Sequence, residues 1–513
     1  MWLGVPLLVT VIYPAPWKIP AVLSVVVLGG VVSPKCVRRV FWPAAGFLFI
    51  ALVVWVLLPE DNEGWRPYTL DKQWTDLAAQ FMISDEENAG KIYDELSADF
   101  DPNSCHEFPS DELEKITLYH PWSRQDYPEI AELLAGKQTT IAALLKVTEF
   151  EACQFPLTPD ALCSGERPAA KRFWAVCRGT GWLVRAANND LAEGYIQTAL
   201  EKNSAALQIA KHMRQQPTKR DILLSFGCEK RAVDWFKRFA FMGEPTKEHL
   251  AFIEGALAQI KHDWEVLLLK NLEYEKLVAK DELCGMLYET NSDGKVRITR
   301  AIDLSGIDQL HEGPMCNLSP NYLRKMRSKA ACIAKWFWIP ADPHKIAKAF
   351  DVAFERLYMM GEPNFDWGKE PRMAEIHHMS LYSIPDDINY VRQIYIQIYD
   401  LERSCRDLRK RYIRVLANRR GTLLMVAMRR YMNKTGRWPE SLDDIRDMAA
   451  AENFLDPVSG GEFVYRLTAE GFTLYSKGEN GIDEGGQCDY VQTNINNKLD
   501  DQLVWPPPEW KAS

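Results

Sequence analysis

The side chains best suited to binding a metal ion are acidic ones near the C-terminus, in a segment rich in glycine. Five carboxylates lie close together along the chain: Asp483, Glu484, Asp489, Asp500 and Asp501. Ca²⁺ takes about six to eight oxygen ligands from carboxylates and backbone carbonyls on flexible loops. The pattern predicts a calcium site. The simpler alternative is a solvated acidic turn, because loops of glycine and acid are common.

Common catalytic motifs are absent from the sequence. It contains no HExxH, GxxxxGK[ST] or GxSxG pattern and no GxGxxG after a strand. His377 and His378 are adjacent, so they point to different faces of a helix and chelate poorly. His311, Glu312 and Cys316 lack the second ligand pair that a zinc site needs. A Ser–Lys or Cys–His dyad built from distant residues stays open, but a non-enzymatic protein is favoured.

Basic residues are concentrated in one stretch of the second half of the chain. One interpretation is a surface for an anionic partner. The favoured alternative is a solvated helix face that pairs with the acidic remainder of the protein. The residues are Arg403, Arg406, Arg409, Lys410, Arg411, Arg414, Arg419 and Arg420.

Composition and charge exclude some classes of protein. Of 513 residues, 47% are apolar, which allows a sizeable core, and the formal charge is −9. All 70 acidic residues lie at or beyond Glu60, whereas four of the 61 basic residues precede it. An acidic body repels phosphate backbones, so no nucleic-acid partner is expected. The 11 cysteines form no CxxC pair, which favours mostly buried free thiols.

The first 59 residues predict membrane-spanning segments. Val40–Leu58 carries no formal charge, and its length of roughly 28 Å matches a hydrocarbon core. The apolar segment before it, interrupted by prolines, is interpreted as one kinked span. Three basic residues, Lys35, Arg38 and Arg39, lie between the two segments and favour the cytoplasmic side. The chain after residue 59 is therefore expected outside the cytoplasm.

Apolar residues recur at helical spacing over most of residues 70–435, which predicts a mainly α-helical body. A capping-box pattern at Ser84 predicts a helix to about Ser97. Successive helix pairs are typical of helical-repeat proteins, and an irregular helical domain is equally compatible. A turn at 291–294 predicts a hairpin with 296–298. Further helices are predicted over 129–145, 169–188, 191–213, 220–242, 247–260, 263–288, 322–338, 345–360 and 390–434.

The C-terminal part has its own pattern of elements. An amphipathic helix stops at Gly436 and is followed by the Trp438-Pro439 corner, a helix and a tight turn around Asp456-Pro457. Two alternating stretches then predict a β-hairpin that turns at 468–471, before the acidic glycine-rich loop.

This order resembles the C-terminal part of the major pseudopilin of type II secretion systems. It resembles more closely a group of bacterial membrane-anchored proteins that carry such a module behind a long helical region. The resemblance implies a helix that leads into a small sheet and a calcium-binding loop. The predicted spans lie far upstream of the module, and no prepilin-peptidase site is visible. Both departures argue against assembly into a pseudopilus.

These patterns together predict a mainly α protein in four parts. They are two transmembrane helices in 1–59, an N-terminal helical region at 60–165, a body of repeat-like helix pairs at 166–385, and a long helix with a small pseudopilin-like α+β module at 386–513.

The predicted function is a membrane-tethered, extracytoplasmic binding or scaffold protein of the cell envelope. Its partners would be the lipid bilayer of the inner membrane and an envelope protein. One alternative is an envelope enzyme with a site built from distant residues. The other is an accessory component of a type II secretion or pilus-like apparatus.

Overall fold

The computed structural model describes residues 70–98, 100, 108–157, 168–260, 263–290, 296–298, 388–469, 471–488 and 499–506, with short pieces between 351 and 367. The predicted spans in 1–59, the predicted helix 322–338 and most of 345–360 lie outside the described residues. In the described part of the chain, no helix combines the length and the apolar character needed to cross a bilayer.

The described chain is mainly α-helical, as its periodicity predicts. Eleven α-helices occur in this part: α1 (Asp71–Gln80), α2 (Gly90–Ala98), α3 (Asp111–Tyr119), α4 (Pro128–Gly136), α5 (Gln138–Lys146), α6 (Pro168–Ala192), α7 (Ile196–Arg214), α8 (Lys219–Met242), α9 (Lys247–Ala258), α10 (Trp264–Leu287) and α11 (Ile388–Thr435).

The chain divides into two compact units. The first comprises Met1–Pro67 and Leu287–Ile302, and the second comprises Tyr68–Met286 and Asp303–Ser513. In the first unit, β1 (Tyr288–Thr290) pairs antiparallel with β2 (Val296–Ile298), which confirms the predicted hairpin. The remaining described elements belong to the second unit. The four predicted domain ranges stay a prediction.

Local sequence signals set several helix ends. The hydroxyl oxygens of Ser110 and Thr218 accept hydrogen bonds from backbone N–H groups in the first turns of α3 and α8, as N-cap residues do. α11 ends where Gly436 takes a φ of 76°, and the Gly436 N–H donates to the Met432 carbonyl at 2.8 Å. The left-handed region favours glycine, so the predicted stop at Gly436 is confirmed.

The centre of the second unit is formed by α6, α7 and α8, which pack on one another, and α11 lies against α8 and α9. Tyr93, Trp122 and Leu183 belong to one buried cluster. Trp235 and Phe236 belong to another, which α11 enters through Val426. The long basic helix is therefore part of the core on one of its faces.

The C-terminal module contains a three-stranded antiparallel sheet with the order β3 (Val464–Thr468), β4 (Gly471–Ser476) and β5 (Gln502–Trp505). Leu424 and Met428 of α11 share a buried cluster with Phe472, Leu474 and Trp505. The predicted β3–β4 hairpin is confirmed. The third strand was not predicted, since four residues after a polar segment carry little periodicity.

Three predicted elements have different bounds. The segment 84–87 forms a turn, in which the Ser84 hydroxyl donates to Glu87 at 3.0 Å. α2 begins at Gly90, whose N–H donates to the Asn88 side chain at 2.8 Å. The helix predicted over 129–145 is two helices that meet at Lys137. The helix predicted after the Trp-Pro corner consists of two 3₁₀ turns.

Candidate functional site

One arginine of the basic stretch in α11 connects this helix to α8 through a buried ion pair. Arg419 is 5% exposed, and its Nε and Nη2 donate to a Glu229 carboxylate oxygen at 3.0 and 2.6 Å. Its Nη1 donates to the Ile260 carbonyl at 2.6 Å, and Arg214 pairs with the same Glu229. The favoured interpretation of the basic stretch was a solvated helix face that pairs with acidic residues. Arg419 does pair with an acid, but this pair is buried and not solvated.

A second buried contact joins α8 to α11 and to β5. The Lys237 ammonium lies 2.8 Å from Asp234 and donates to the Asn418 side chain at 2.7 Å and the Val504 carbonyl at 3.0 Å. The charge of Lys237 holds the pKa of Asp234 below its usual range, against the opposing effect of burial. Helical body and module therefore share one polar network.

Arg429 closes the C-terminus of α8. Its guanidinium donates to the carbonyls of Ala240 at 2.7 Å and Phe241 at 2.8 Å and also to Gly243. Cations are favoured where helix carbonyls lack partners. The Phe241 ring lies 5.5 Å from Trp438 and 4.3 Å from Trp505 between centroids. The Trp-Pro corner is therefore a docking contact between module and body.

The Asp456-Pro457 turn is anchored by a carboxylate that is 1% exposed. Asp456 Oδ2 accepts from the Ser476 hydroxyl at 2.7 Å and from the Ser459 N–H at 3.2 Å. Oδ1 accepts from the Val458 N–H at 2.9 Å. The Ser476 hydroxyl oxygen accepts from Gly478 at 3.1 Å. This chain of bonds fixes the start of the acidic loop.

The acidic loop turns at a glycine that tolerates no side chain. Gly478 has a φ of 69°, and a Cβ atom there would lie 2.2 Å from Asp500 Oδ1. Asp500 Oδ2 accepts from the backbone N–H groups of Glu479 at 2.8 Å and Asn480 at 3.2 Å. The 478–480 turn is therefore closed by a carboxylate from the far end of the loop.

Asp483, one of the predicted calcium ligands, is already paired. The Arg466 guanidinium donates to both of its oxygens at 2.9 and 2.8 Å, and the Tyr475 hydroxyl donates at 2.7 Å. The Tyr475 hydrogen bond is the largest of the interactions that hold the pKa of Asp483 below its usual value. Asp483 therefore supports the sheet side of the loop.

Glu484, Asp500 and Asp501 are brought together. The Asp500 N–H donates to Glu484 at 3.4 Å, and the Gly486 N–H donates to Asp501 Oδ2 at 2.7 Å. Asp501 is fully buried, and its Oδ1 and that of Asp500 have no hydrogen-bond partner among the described residues. Burial, with the adjacent Glu484, raises the pKa of Asp501 to about 6. Two facing carboxylates require a proton or a cation between them.

The predicted metal ligands thus separate into three groups. Glu484, Asp500 and Asp501 converge, Asp483 is engaged by Arg466, and Asp489 lies outside the described residues. Over the described ranges, no group of three or more His, Cys, Asp or Glu side chains has the arrangement of a metal site. A calcium site would therefore have to draw on backbone carbonyls as well as on the three convergent carboxylates.

In the helical body, side-chain amides hold the extended segment 150–155. Gln215 accepts from the Cys153 N–H at 2.7 Å, and Gln216 accepts from the Phe155 N–H at 3.1 Å. His212 is fully buried between the Tyr93 hydroxyl at 3.0 Å and the Phe150 carbonyl at 2.9 Å. Burial lowers the pKa of His212 to about 4, so the imidazole is neutral.

A cavity of about 180 Å³ lies beside this segment. Its lining includes Phe81, Ile83, Leu157, Pro217, Cys153 and Lys270. Burial lowers the pKa of Lys270 to about 8 and raises that of the Cys153 thiol. The lining contains apolar and amide groups, one thiol and one amine.

Sequence reasoning did not single out Glu229, Lys237 or Lys270, and it predicted only a turn at Asp456. The residues around each of them indicate only a helix or a turn. The local sequence therefore does not identify the residue that each one contacts in the folded chain. Cys153, Cys177, Cys228 and Cys405 carry free thiols, which agrees with the favoured interpretation of the cysteines that the structure describes.

Comparison of the chain with protein-family models, curated proteins and solved structures finds no match.

Proposed function

We propose that this chain is a membrane-tethered binding or scaffold protein of the cell envelope, with its helical body outside the cytoplasm. The observation that carries the proposal is the buried joint between α8 and α11. Glu229, Lys237 and Arg429 all contribute to it, and the charge-free stretch before residue 59 supplies the tether. A body joined rigidly to a module presents fixed surfaces to a partner, which lowers the entropic cost of binding.

The orientation of the chain in the membrane is tested by a reporter fused directly after Leu58. We expect an enzyme reporter that is active only outside the cytoplasm to be active there. Substitution of Lys35, Arg38 and Arg39 by glutamine should reduce that activity, because the basic turn would no longer be retained in the cytoplasm. An inactive reporter in the wild-type fusion would reject the outward orientation.

Binding is tested by crosslinking in intact membranes, followed by purification of the full chain in Ca²⁺ or in chelator. We expect one crosslinked envelope protein to recur with the wild type. The band should weaken when Glu229→Ala loosens the joint, but not with Glu440→Ala at an exposed pair with Arg437. Absence of any specific crosslink under both conditions would remove the support for a scaffold.

Calcium binding to the acidic loop is the second part of the proposal. Glu484 and Asp501 supply carboxyl groups in contact, and Asp500 Oδ1 has no hydrogen-bond partner among the described residues. We expect the full chain to bind Ca²⁺ in calorimetric titration at pH 7.5, and less tightly at pH 5.5, where the proton on Asp501 competes. Glu484→Gln with Asp501→Asn should abolish binding, and Glu462→Gln should not.

A second candidate is an accessory component of a secretion or pilus-like apparatus. The order of a long helix, a small antiparallel sheet and an acidic glycine loop favours it, together with the resemblance described above. Recovery of secretion-system proteins in the same crosslinking experiment would select this candidate. Recovery of unrelated envelope proteins would count against it.

A further inference from the structure

We propose that the cavity beside Lys270 is a binding site for a small organic monocarboxylate with an apolar body. The proposal concerns the helical body alone, so its failure would leave the scaffold function untouched.

The first observation is a partly buried ammonium group that has no carboxylate partner in the part of the chain that the structure describes. The Lys270 ammonium donates to the Gln215 carbonyl and lies 4.4 Å from the centroid of the Phe81 ring. No carboxylate of the described residues forms an ion pair with it. Burial of an ammonium group is costly unless it is paired. A bound anion would supply the missing pair.

The hydrogen-bonding capacity of the wall points to the same class of ligand. An ammonium group has three donors, and the Gln215 carbonyl accepts one. The amides of Gln215 and Gln216 are already occupied by the backbone of residues 151–155. Lys270 is the charged donor of the lining, and its remaining N–H groups suit an acceptor-only head such as a carboxylate.

The rest of the lining selects for an apolar body of limited size. Ile83, Leu157 and Pro217 supply apolar surface, and the raised pKa of Cys153 keeps its thiol neutral. An apolar cavity of about 150 Å³ accommodates benzene, so about 180 Å³ is enough for a ring or a short branched chain. A phosphate dianion is disfavoured, because one cation and apolar walls cannot replace its hydration.

The test compares phenylacetate with benzyl alcohol, its neutral counterpart of similar size, and with inorganic phosphate. Ligand-observed NMR on the full chain in detergent gives the three affinities. We expect phenylacetate to bind with a Kd of about 1 mM or tighter, within the range of efficient small ligands. Benzyl alcohol and phosphate should bind at least about tenfold more weakly. Equal binding of the acid and the alcohol, or tighter binding of phosphate, would overturn the proposal.

Lys270→Met removes the charge and keeps an unbranched apolar side chain. The affinity for phenylacetate should fall at least about tenfold, which corresponds to about 1.4 kcal/mol, because the carboxylate loses its cation. The affinity for benzyl alcohol should stay nearly unchanged, because the alcohol has no charge. Lys247→Met, at an exposed lysine of α9, is the matched control and should change neither affinity. An unchanged affinity of Lys270→Met for phenylacetate would reject the role of the amine.

A pH series on the wild type keeps the proposal testable if Lys270→Met does not fold. Lys270 and Cys153 are the titratable groups of the lining, and Cys153 stays a neutral thiol because burial raises its pKa. Raising the pH from 7 to 9.5 passes the lowered pKa of Lys270, about 8. Phenylacetate should then bind several-fold more weakly, while benzyl alcohol should not. A pH-independent affinity for phenylacetate would contradict the proposal.

Discussion

At the scale of single residues, buried charges determine how this protein is held together. Glu229 is fully buried and pairs with Arg419 and Arg214. Removal of one member of a buried pair leaves an uncompensated charge, whereas an exposed pair contributes little. The effect of a substitution therefore depends on burial much more than on the residue type.

Glu229→Ala is expected to destabilise the fold strongly. Two arginines would remain buried without their acid, at a cost of about 3–5 kcal/mol. Glu440→Ala removes an acid whose side chain is 71% exposed and paired with Arg437, and its stability should stay close to that of the wild type. Urea unfolding followed by circular dichroism measures both. Similar midpoints for the two variants would contradict the role given to burial.

His212 is expected to make the fold sensitive to acid. Burial lowers its pKa to about 4, from an ordinary value of about 6.5. Between these values the unfolded chain binds a proton that the folded chain does not. Stability therefore falls as the pH drops from about 6.5 to 4, by about 3 kcal/mol in total. His212→Gln should remove this component of the pH profile, and identical profiles for both proteins would exclude it.

At the scale of elements, the acidic loop depends on backbone geometry that only glycine adopts easily. Gly478 and Gly481 both have a φ of 69°. A Cβ atom at Gly478 would meet Asp500, whereas one at Gly481 would meet nothing within 4 Å. The two positions therefore share the cost of the left-handed conformation and differ in the contact with Asp500.

Gly478→Ala should destabilise the module more than Gly481→Ala. Each substitution should lower the free energy of unfolding by about 1–2 kcal/mol, because alanine is disfavoured in the left-handed conformation. Gly478→Ala must in addition displace Asp500 from its hydrogen bonds to Glu479 and Asn480. Thermal unfolding and limited proteolysis of the loop measure the difference. Equal losses in the two variants would show that the loop can move aside.

At the scale of the whole second unit, the helical body and the C-terminal module pack together in one compact unit. Phe241, at the end of α8, contacts three rings of the module: Trp438, Phe472 and Trp505. Lys237 and Arg429 add polar contacts across the same joint. Shared burial of this kind couples the unfolding of both parts.

Phe241→Ala should therefore loosen both sides of the joint. Hydrogen exchange is expected to become faster in β3–β5 and also in the last turns of α8. Trp174→Ala, at a ring that is 49% exposed in α6, is the control and should leave both regions protected. Faster exchange in the module alone would mean that body and module unfold separately.

Sequence reasoning was accurate where the determinant is local. Periodicity predicted α6 to α10 to within a few residues, and Gly436 marked the end of α11. It was less accurate at Lys137, where two helices meet within one predicted helix. It was also less accurate at Ser84, which forms a turn with Glu87 instead of beginning α2. The four residues of β5 carry no periodic signal of their own, and their pairing with β4 across the intervening loop defines the strand.

For the candidate sites as well, some features follow from the local sequence and others from contacts between distant residues. The sequence by itself determined the acidic glycine loop, the helical class and the basic stretch of α11, because spacing and composition are properties of neighbours along the chain. Only the tertiary structure decided that Asp483 is paired with Arg466, that Glu484 faces Asp501, and that Lys270 borders a cavity. Arg419 meets Glu229 across 190 residues, and such partners are chosen by packing and burial, which no local pattern encodes.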